Sequence, residues 1–245
     1  RSKKISHNNL SLALPNINKS ERDKIINNMW VNYGKIFSEY MFIKKFRSNA
    51  EFSKKIIVEN QEELEKIKSQ KKPVIFISGH FNNFELMAMH LEKSDIDLAA
   101  VYRPLNNKFL NPIMERIRKK YICKKQIKKG ISGTKELLKE FKKGTSIALM
   151  IDQRVSEGIK SNLFGKEALT TTIPAQFIKK FDASVVPMHI ERLVDDTFKL
   201  KIQGSIKFSN DETVNEITQK LNKILEKMIM TNPDQWIWTH NRWKI

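Results

Sequence analysis

The feature that most constrains this 245-residue chain is a series of short, uninterrupted apolar runs, each followed by a helical pattern. Pro73 to Ser78, Leu98 to Tyr102, Ser146 to Ile151 and Ser184 to Ile190 have strand length and no alternation, as expected of strands buried on both faces. Between them apolar residues recur at three- and four-residue spacing. Phe84, Met87, Ala88 and Leu91 do so within 83–93, and further helices are expected over 107–121, 131–143 and from Pro174 to about Phe181. Strands alternating with helices predict a single α/β domain over 1–245, with a mostly parallel central sheet and helices on both faces.

The other segments fit around that core. Residues 1–18 are polar, rich in Asn and interrupted by Pro15, and read as an irregular arm. Ser20, with Asp23 three residues on, is the expected N-cap of a long amphipathic helix over 19–47. Its wide apolar stripe, with Ile26, Met29, Trp30, Tyr33, Phe37 and Tyr40, either closes the core or rests on lipid. Ser53 to Glu59 is read as a short strand and Gln61 to Gln70 as a charged helix. Residues 156–172 lack periodicity and hold two glycines, which predicts an active-site loop. Phe198 to Ile202 alternates strictly, as a half-solvated edge strand should, and a last amphipathic helix spans 213–230.

Composition narrows the function classes. Cys123 is the only cysteine, so an intrachain disulfide and a cysteine-rich zinc site are excluded. No run of about 18 apolar residues occurs, so the chain as given does not span a bilayer. Its start at Arg1, without a methionine, reads as a processed boundary, which leaves room for an upstream anchor. The net charge of +18, from 45 Lys and Arg against 27 Asp and Glu, predicts an anionic partner. Nucleic acid, an anionic membrane surface and a small acidic carrier protein all qualify. The aromatic residues lie in helical stripes and a C-terminal cluster without a recognisable binding motif, so a basic nucleic-acid-binding module is the alternative of another class.

The polar residues that end the apolar runs carry the chemistry. His80 with Glu85, Arg103 with Asn106, and Asp152 with Gln153 each follow a predicted strand, and in a parallel sheet such ends face one crevice. His80 and Glu85 would lie about 140° apart on a regular helix, so they can meet only if His80 sits in the turn before it. A carboxylate on one imidazole nitrogen fixes the tautomer and leaves the other nitrogen basic. The expectation is therefore that His80 is a general base and Glu85 its orienting partner. His80, Glu85 and His90 do not form a His-Glu-x-x-His arrangement, and no metal is expected.

Five motifs in order resemble the bacterial lipid A biosynthesis acyltransferase family. They are Gly79-His80-Phe81-Asn82-Asn83-Phe84-Glu85, Tyr102-Arg103-Pro104-Leu105-Asn106-Asn107, Ile151-Asp152-Gln153, Phe164-Gly165 with Thr170 to Pro174, and Pro233 to Lys244. Asn9-Leu10 to Pro15 and Glu21-Arg22 match its N-terminal pattern, so the likeness covers nearly the whole chain. The resemblance implies a glycerolipid-acyltransferase-like fold. It also implies transfer of a fatty acyl chain from a thioester, carried on the phosphopantetheine of acyl carrier protein, to a hydroxyl of a lipid A precursor at the cytoplasmic face of the bacterial inner membrane. No other cofactor and no nucleic acid are expected. The family's histidine and acidic residue fall on His80 and Glu85; Arg103 would steady an oxyanion or a phosphate, and Asn106, Asp152 and Gln153 would shape the site. Arg116, Arg118, Lys119 and Lys120, the densest basic patch, are the expected carrier-docking residues. A related acyltransferase using acyl-coenzyme A and another glycolipid or a glycerol-phosphate acceptor would share the same His and Glu logic.

Overall fold

The computed structural model describes residues 2–244. The first half of the chain runs α1 (Ser2–Ala13), α2 (Lys19–Glu39), α3 (Ile43–Ser48), α4 (Ala50–Lys54), β1 (Ile56–Glu59), α5 (Glu62–Gln70), β2 (Ile75–Ser78), α6 (Glu85–Lys93), β3 (Leu98–Tyr102) and α7 (Leu110–Ile117). It continues through β4 (Lys125–Lys128), α8 (Ile131–Lys142), β5 (Ser146–Met150), β6 (Ile159–Leu163), β7 (Lys166–Thr170), α9 (Ile173–Phe181), β8 (Val185–Arg192), β9 (Phe198–Ile202) and α10 (Val214–Thr231). The predicted single α/β domain is present, with seven strands in the order β1-β9-β8-β2-β5-β3-β4 and helices around them. Every neighbouring pair is parallel except β8 with β9.

The apolar runs became the centre of this sheet. All four side chains of β2 are buried, and Ile75 lies opposite Ile147 of β5 on one side and Val185 of β8 on the other. The chain leaves β2 for β3 and β4, then returns to place β5 in the gap between β2 and β3. That reversal of direction opens a crevice at the C-terminal ends of β2 and β5, where α/β sheets bind ligands.

Several segments differ from the sequence reading. Residues 2–13 form a helix instead of an irregular arm, because one side of α1 docks through Asn9, whose Nδ2 donates to the carbonyls of Trp238 and His240 at 2.8 and 2.6 Å. A docking face that sets Ser6 and Asn9 beside only two apolar residues, Leu10 and Ala13, leaves little hydrophobic period to detect. The N-cap of α2 is Asn18 with Glu21, not Ser20, since these two residues complete a reciprocal capping box. The long helix predicted over 19–47 is broken by a 3-10 turn at Tyr40–Phe42 before α3.

Residues 159–170 form an antiparallel hairpin instead of an open loop. Its turn residues, Phe164 and Gly165, both have positive φ, as a two-residue primed turn requires. Two of its inward residues, Ser161 and Thr170, are polar and are hydrogen-bonded to Asn222, which erased the apolar alternation. Finally, β9 is an inner strand between β8 and β1, because β1, only four residues long, caps the sheet edge.

Gly133 lets α8 lie against the end of β4, since a Cβ there would sit 1.8 Å from the carbonyl oxygen of Lys128. Gly133→Ala must push the helix off the sheet. Overpacking of this kind costs about 1–3 kcal/mol, and thermal unfolding should record a Tm lowered by several degrees.

Candidate active site

The turn after β2 is shaped to bring a carboxylate against its own backbone. At Gly79 a Cβ would stand 2.9 Å from a ring carbon of Phe81 and 3.2 Å from Oδ2 of Asp152, so glycine keeps this space open. Asn82 adopts φ 39°, a left-handed conformation that asparagine tolerates better than most residues. Its side chain accepts from Arg192 at 3.0 Å and donates to Gln235 at 3.0 Å. Its backbone N–H donates to the carbonyl of Gln235 at 2.9 Å. With the turn locked, α6 begins at Glu85, and His80 projects from the end of β2 as the sequence predicted.

The partner of His80 is Asp152, not Glu85. Nδ1 of His80 lies 2.8 Å from Oδ1 of Asp152, while Oδ2 accepts from the His80 backbone N–H at 2.8 Å and from Nε1 of Trp236 at 2.9 Å. The correction follows from topology. β5 inserts beside β2, so the residue just beyond β5 reaches the histidine turn, whereas the carboxylate of Glu85, at the first position of α6, is taken by Arg118 and Tyr40. With Nδ1–H donated to the carboxylate, Nε2 carries the lone pair, and its polar neighbour is the Gln153 amide at 3.5 Å.

The ionisations follow from this pairing. Burial works against a charge on His80, but the charge and hydrogen bond of Asp152, with Glu85 behind them, outweigh it and hold the imidazole pKa above its ordinary value. Burial also works against the Asp152 carboxylate, yet the charge of His80 and the hydrogen bonds from His80 and Trp236 bring it down to about 2.

Glu85 belongs to a second cluster. It accepts from Nε and Nη2 of Arg118 at 2.8 and 2.6 Å, and from the hydroxyl of Tyr40. Arg118 opens a π-helical turn, Arg118–Ile122, a widening common at functional sites, which turns its guanidinium inward from the basic face. It therefore does not stand on the basic surface with the other three. Its side chain is 14% exposed, whereas Arg116, Lys119 and Lys120 line a shallow groove on the outside. Burial would lower the Arg118 pKa, but the adjoining Glu85 charge overrides it and raises it. Burial, reinforced by the Glu85 charge, likewise raises the Tyr40 phenol.

His80, Glu85, Arg118, Arg103 and Gln153 all line one cavity of about 300 Å³. Ala100, Ala148 and Leu137 also line it, beside the polar Gln126, Lys128 and Thr134. Arg103 is exposed at the wall, and Asn106, 3.5 Å from it, stands outside the cavity because the chain leaves the sheet at Pro104. No group of three or more His, Cys, Asp or Glu among the described residues is arranged to hold a metal ion. Cys123 is buried, which pushes its thiol up to about 12. Tyr40, Arg118 and Trp236 are the site residues that sequence reasoning did not place here. Trp236 lies in the C-terminal motif, whose clustered tryptophans were the available signal.

This geometry sits on a chain with clear relatives. The family model described as bacterial lipid A biosynthesis acyltransferase matches residues 1–245. The chain is 26% identical over 252 aligned residues to the lipid A biosynthesis palmitoleoyltransferase of Escherichia coli (strain K12), covering 100% of this chain and 79% of that protein. It is 25% identical over 257 aligned residues to the lipid A biosynthesis lauroyltransferase of the same strain, with the same coverage. Among solved structures, the 1-acyl-sn-glycerophosphate acyltransferase PlsC of Thermotoga maritima aligns over 96% of both chains at 15% identity and a TM-score of 0.48.

The depressed Asp152 pKa gives a signed prediction. Its contribution to stability is fully present above the ordinary aspartate value of 3.8 and is lost as pH falls through about 2. Denaturant titrations of wild type and Asp152→Asn should show a stability gap that is widest between about pH 4 and pH 6, narrows below that as Asp152 takes up its proton, and narrows above about 6.5 as the raised His80 imidazole gives up its own.

Proposed function

Because the chain belongs to the bacterial lipid A biosynthesis acyltransferase family, and is thus an O-acyltransferase, we propose that it moves a fatty acyl chain from an acyl carrier protein thioester to a hydroxyl of a lipid A precursor, with His80 as general base. The observation that carries this reading is His80 itself: Nδ1 is tied to a buried carboxylate, and the ring stands in the wall of a cavity that apolar side chains also line. Nε2 accepts the acceptor's hydroxyl proton while that oxygen attacks the thioester carbonyl. The tetrahedral intermediate collapses, the C–S bond breaks, and the thiolate takes the proton back from Nε2. An ester and a free thiol result, and no covalent bond to the protein forms.

Arg118 fits the developing oxyanion better than Arg103 does. It is a mostly buried cation in the same cavity as His80, and its Nη1 makes no hydrogen bond among the described residues. Preorganised charge in a water-poor site is the most effective form of such stabilisation. Glu85, in this reading, holds Arg118 in place and adds negative charge behind His80.

The surroundings suit the other partners. Arg116, Lys119 and Lys120, on the outer side of the turn that holds Arg118, offer a cationic groove to an acidic carrier. Phe109, Leu110 and Ile113 on and before α7 are 88%, 52% and 56% exposed, and Phe37 and Met41 are each 81% exposed. Tyr40, bonded to Glu85 and within 3.4 Å of Arg118, links the two patches to the site. Exposed apolar side chains among lysines are suited to lie in an anionic membrane interface, which supports the reading that the reaction runs at the cytoplasmic face of the inner membrane. No helix of the described residues is long and apolar enough to cross a membrane.

Acyl carrier protein thioesters and acyl-coenzyme A, each offered with a lipid A precursor, test the reading directly. Transfer from the carrier thioester is expected, and His80→Ala should lower kcat/KM by about 10²–10⁴-fold with an unchanged circular dichroism spectrum. Transfer only from the coenzyme A donor would replace the carrier, and full activity in His80→Ala would remove the base. Phe109→Asp with Ile113→Asp should release the protein from phosphatidylglycerol-containing vesicles in flotation, and undiminished binding would refute this membrane face.

A further inference from the structure

Oδ2 of Asp152 has two donors, and one of them comes from the far end of the chain. Nε1 of Trp236 lies 2.9 Å from Oδ2, and Trp236 is 1% exposed. An indole nitrogen can only donate, so this bond requires Asp152 to accept through Oδ2. Trp236 does not line the cavity that holds His80, Glu85 and Arg118; it borders a smaller pocket of about 60 Å³ on the other side of His80, with Tyr33 and Asn82. Its backbone is nevertheless pinned to the histidine turn, through a bridge to Phe81 and through the Asn82 N–H, which donates to the carbonyl of Gln235 at 2.9 Å. Trp238 packs edge-on against it, with ring centroids 4.6 Å apart. The carbonyl of Trp238 in turn accepts from the buried Asn9 of α1 at 2.8 Å.

We propose that Trp236 is a positioning residue for the reaction: its indole N–H holds the Oδ2 edge of Asp152, which aims Oδ1 at Nδ1 of His80 and sets the orientation and proton affinity of the base. The proposal rests on the reading of His80 as that base. Oδ1 and Oδ2 share one carboxylate plane, so a donor fixed on Oδ2 restricts rotation about the Cβ–Cγ bond. It also draws off part of the negative charge. Without that donor more of the charge acts on the imidazolium, and the proton affinity of His80 rises.

The other charged or titratable groups facing this pair are Glu85 and Arg118 across the cavity, and His240, Tyr33 and Arg242, which act on Asp152. A change at position 236 leaves all five in place. The base is active when neutral, so a raised proton affinity moves the acid limb of the kcat profile to higher pH.

The test compares the full chain with Trp236→Phe and with the same position carrying benzothienylalanine, an isostere in which sulfur replaces the indole N–H and the volume is kept. Nitrogen-15 NMR titration of His80 reads the proposal without any transfer reaction, so a failure of the acyltransferase reading leaves it testable. In both variants the His80 midpoint should move to higher pH. In the transfer assay kcat should fall roughly 10–100-fold with KM nearly unchanged. An unchanged His80 midpoint in the isostere variant overturns the proposal, whatever happens to expression or melting of Trp236→Phe. So does a rise in KM at constant kcat, which would mark Trp236 as part of a substrate wall.

Discussion

A single buried carboxylate, Asp152, joins three segments that are far apart in sequence: the turn after β2 through His80, the end of β5 to which it belongs, and the C-terminal strap through Trp236. Burying an ionised carboxylate costs several kcal/mol unless charge-assisted hydrogen bonds replace its water. Here a ring N–H, a backbone N–H and an indole N–H do so, each within 2.9 Å. The rest of the site depends on that arrangement. Gly79 leaves room for the carboxylate, and Asn82 and Gln235 brace the two chain segments that supply its donors.

Two buried acids thus stand near one histidine and are held apart by their partners. Asp152 takes neutral and imidazole donors and faces Nδ1, whereas Glu85 is neutralised by Arg118 and bonded to Tyr40. Removing one member of a buried ion pair costs about 3–5 kcal/mol, so the Glu85–Arg118 pair is as much a structural tie between α6 and the π-helical turn as a source of charge. Tyr40 extends the tie to the break after α2, where the apolar surface begins. Chemistry, core and surface are therefore mechanically connected.

Much of the fold was legible because strands buried on both faces leave an unmistakable mark. β2, β3, β5 and β8 fell within one or two residues of the apolar runs. Elements held by polar contacts were not legible. α1 docks through Asn9, β4 has a single buried side chain, Ile127, and the hairpin turns Ser161 and Thr170 inward. The same limit applied to the site. His80 was found from its place at the end of a strand, but five-residue spacing to Glu85 said nothing about which carboxylate would face Nδ1.

What the sequence by itself determined is the alternation of buried strands and helices, the strand end that carries His80, and through its ordered motifs the family. Which polar residues meet was decided only by the tertiary structure. Strand order places β5 between β2 and β3, so Asp152 reaches the histidine; a π-helical turn swings Arg118 from a basic surface into the cavity; and the returning C-terminus delivers the Trp236 N–H. Hydrophobic periodicity records burial along the chain, which is a one-dimensional property. Hydrogen-bond pairing depends on distances of about 3 Å between remote segments, and those exist only once the sheet is assembled.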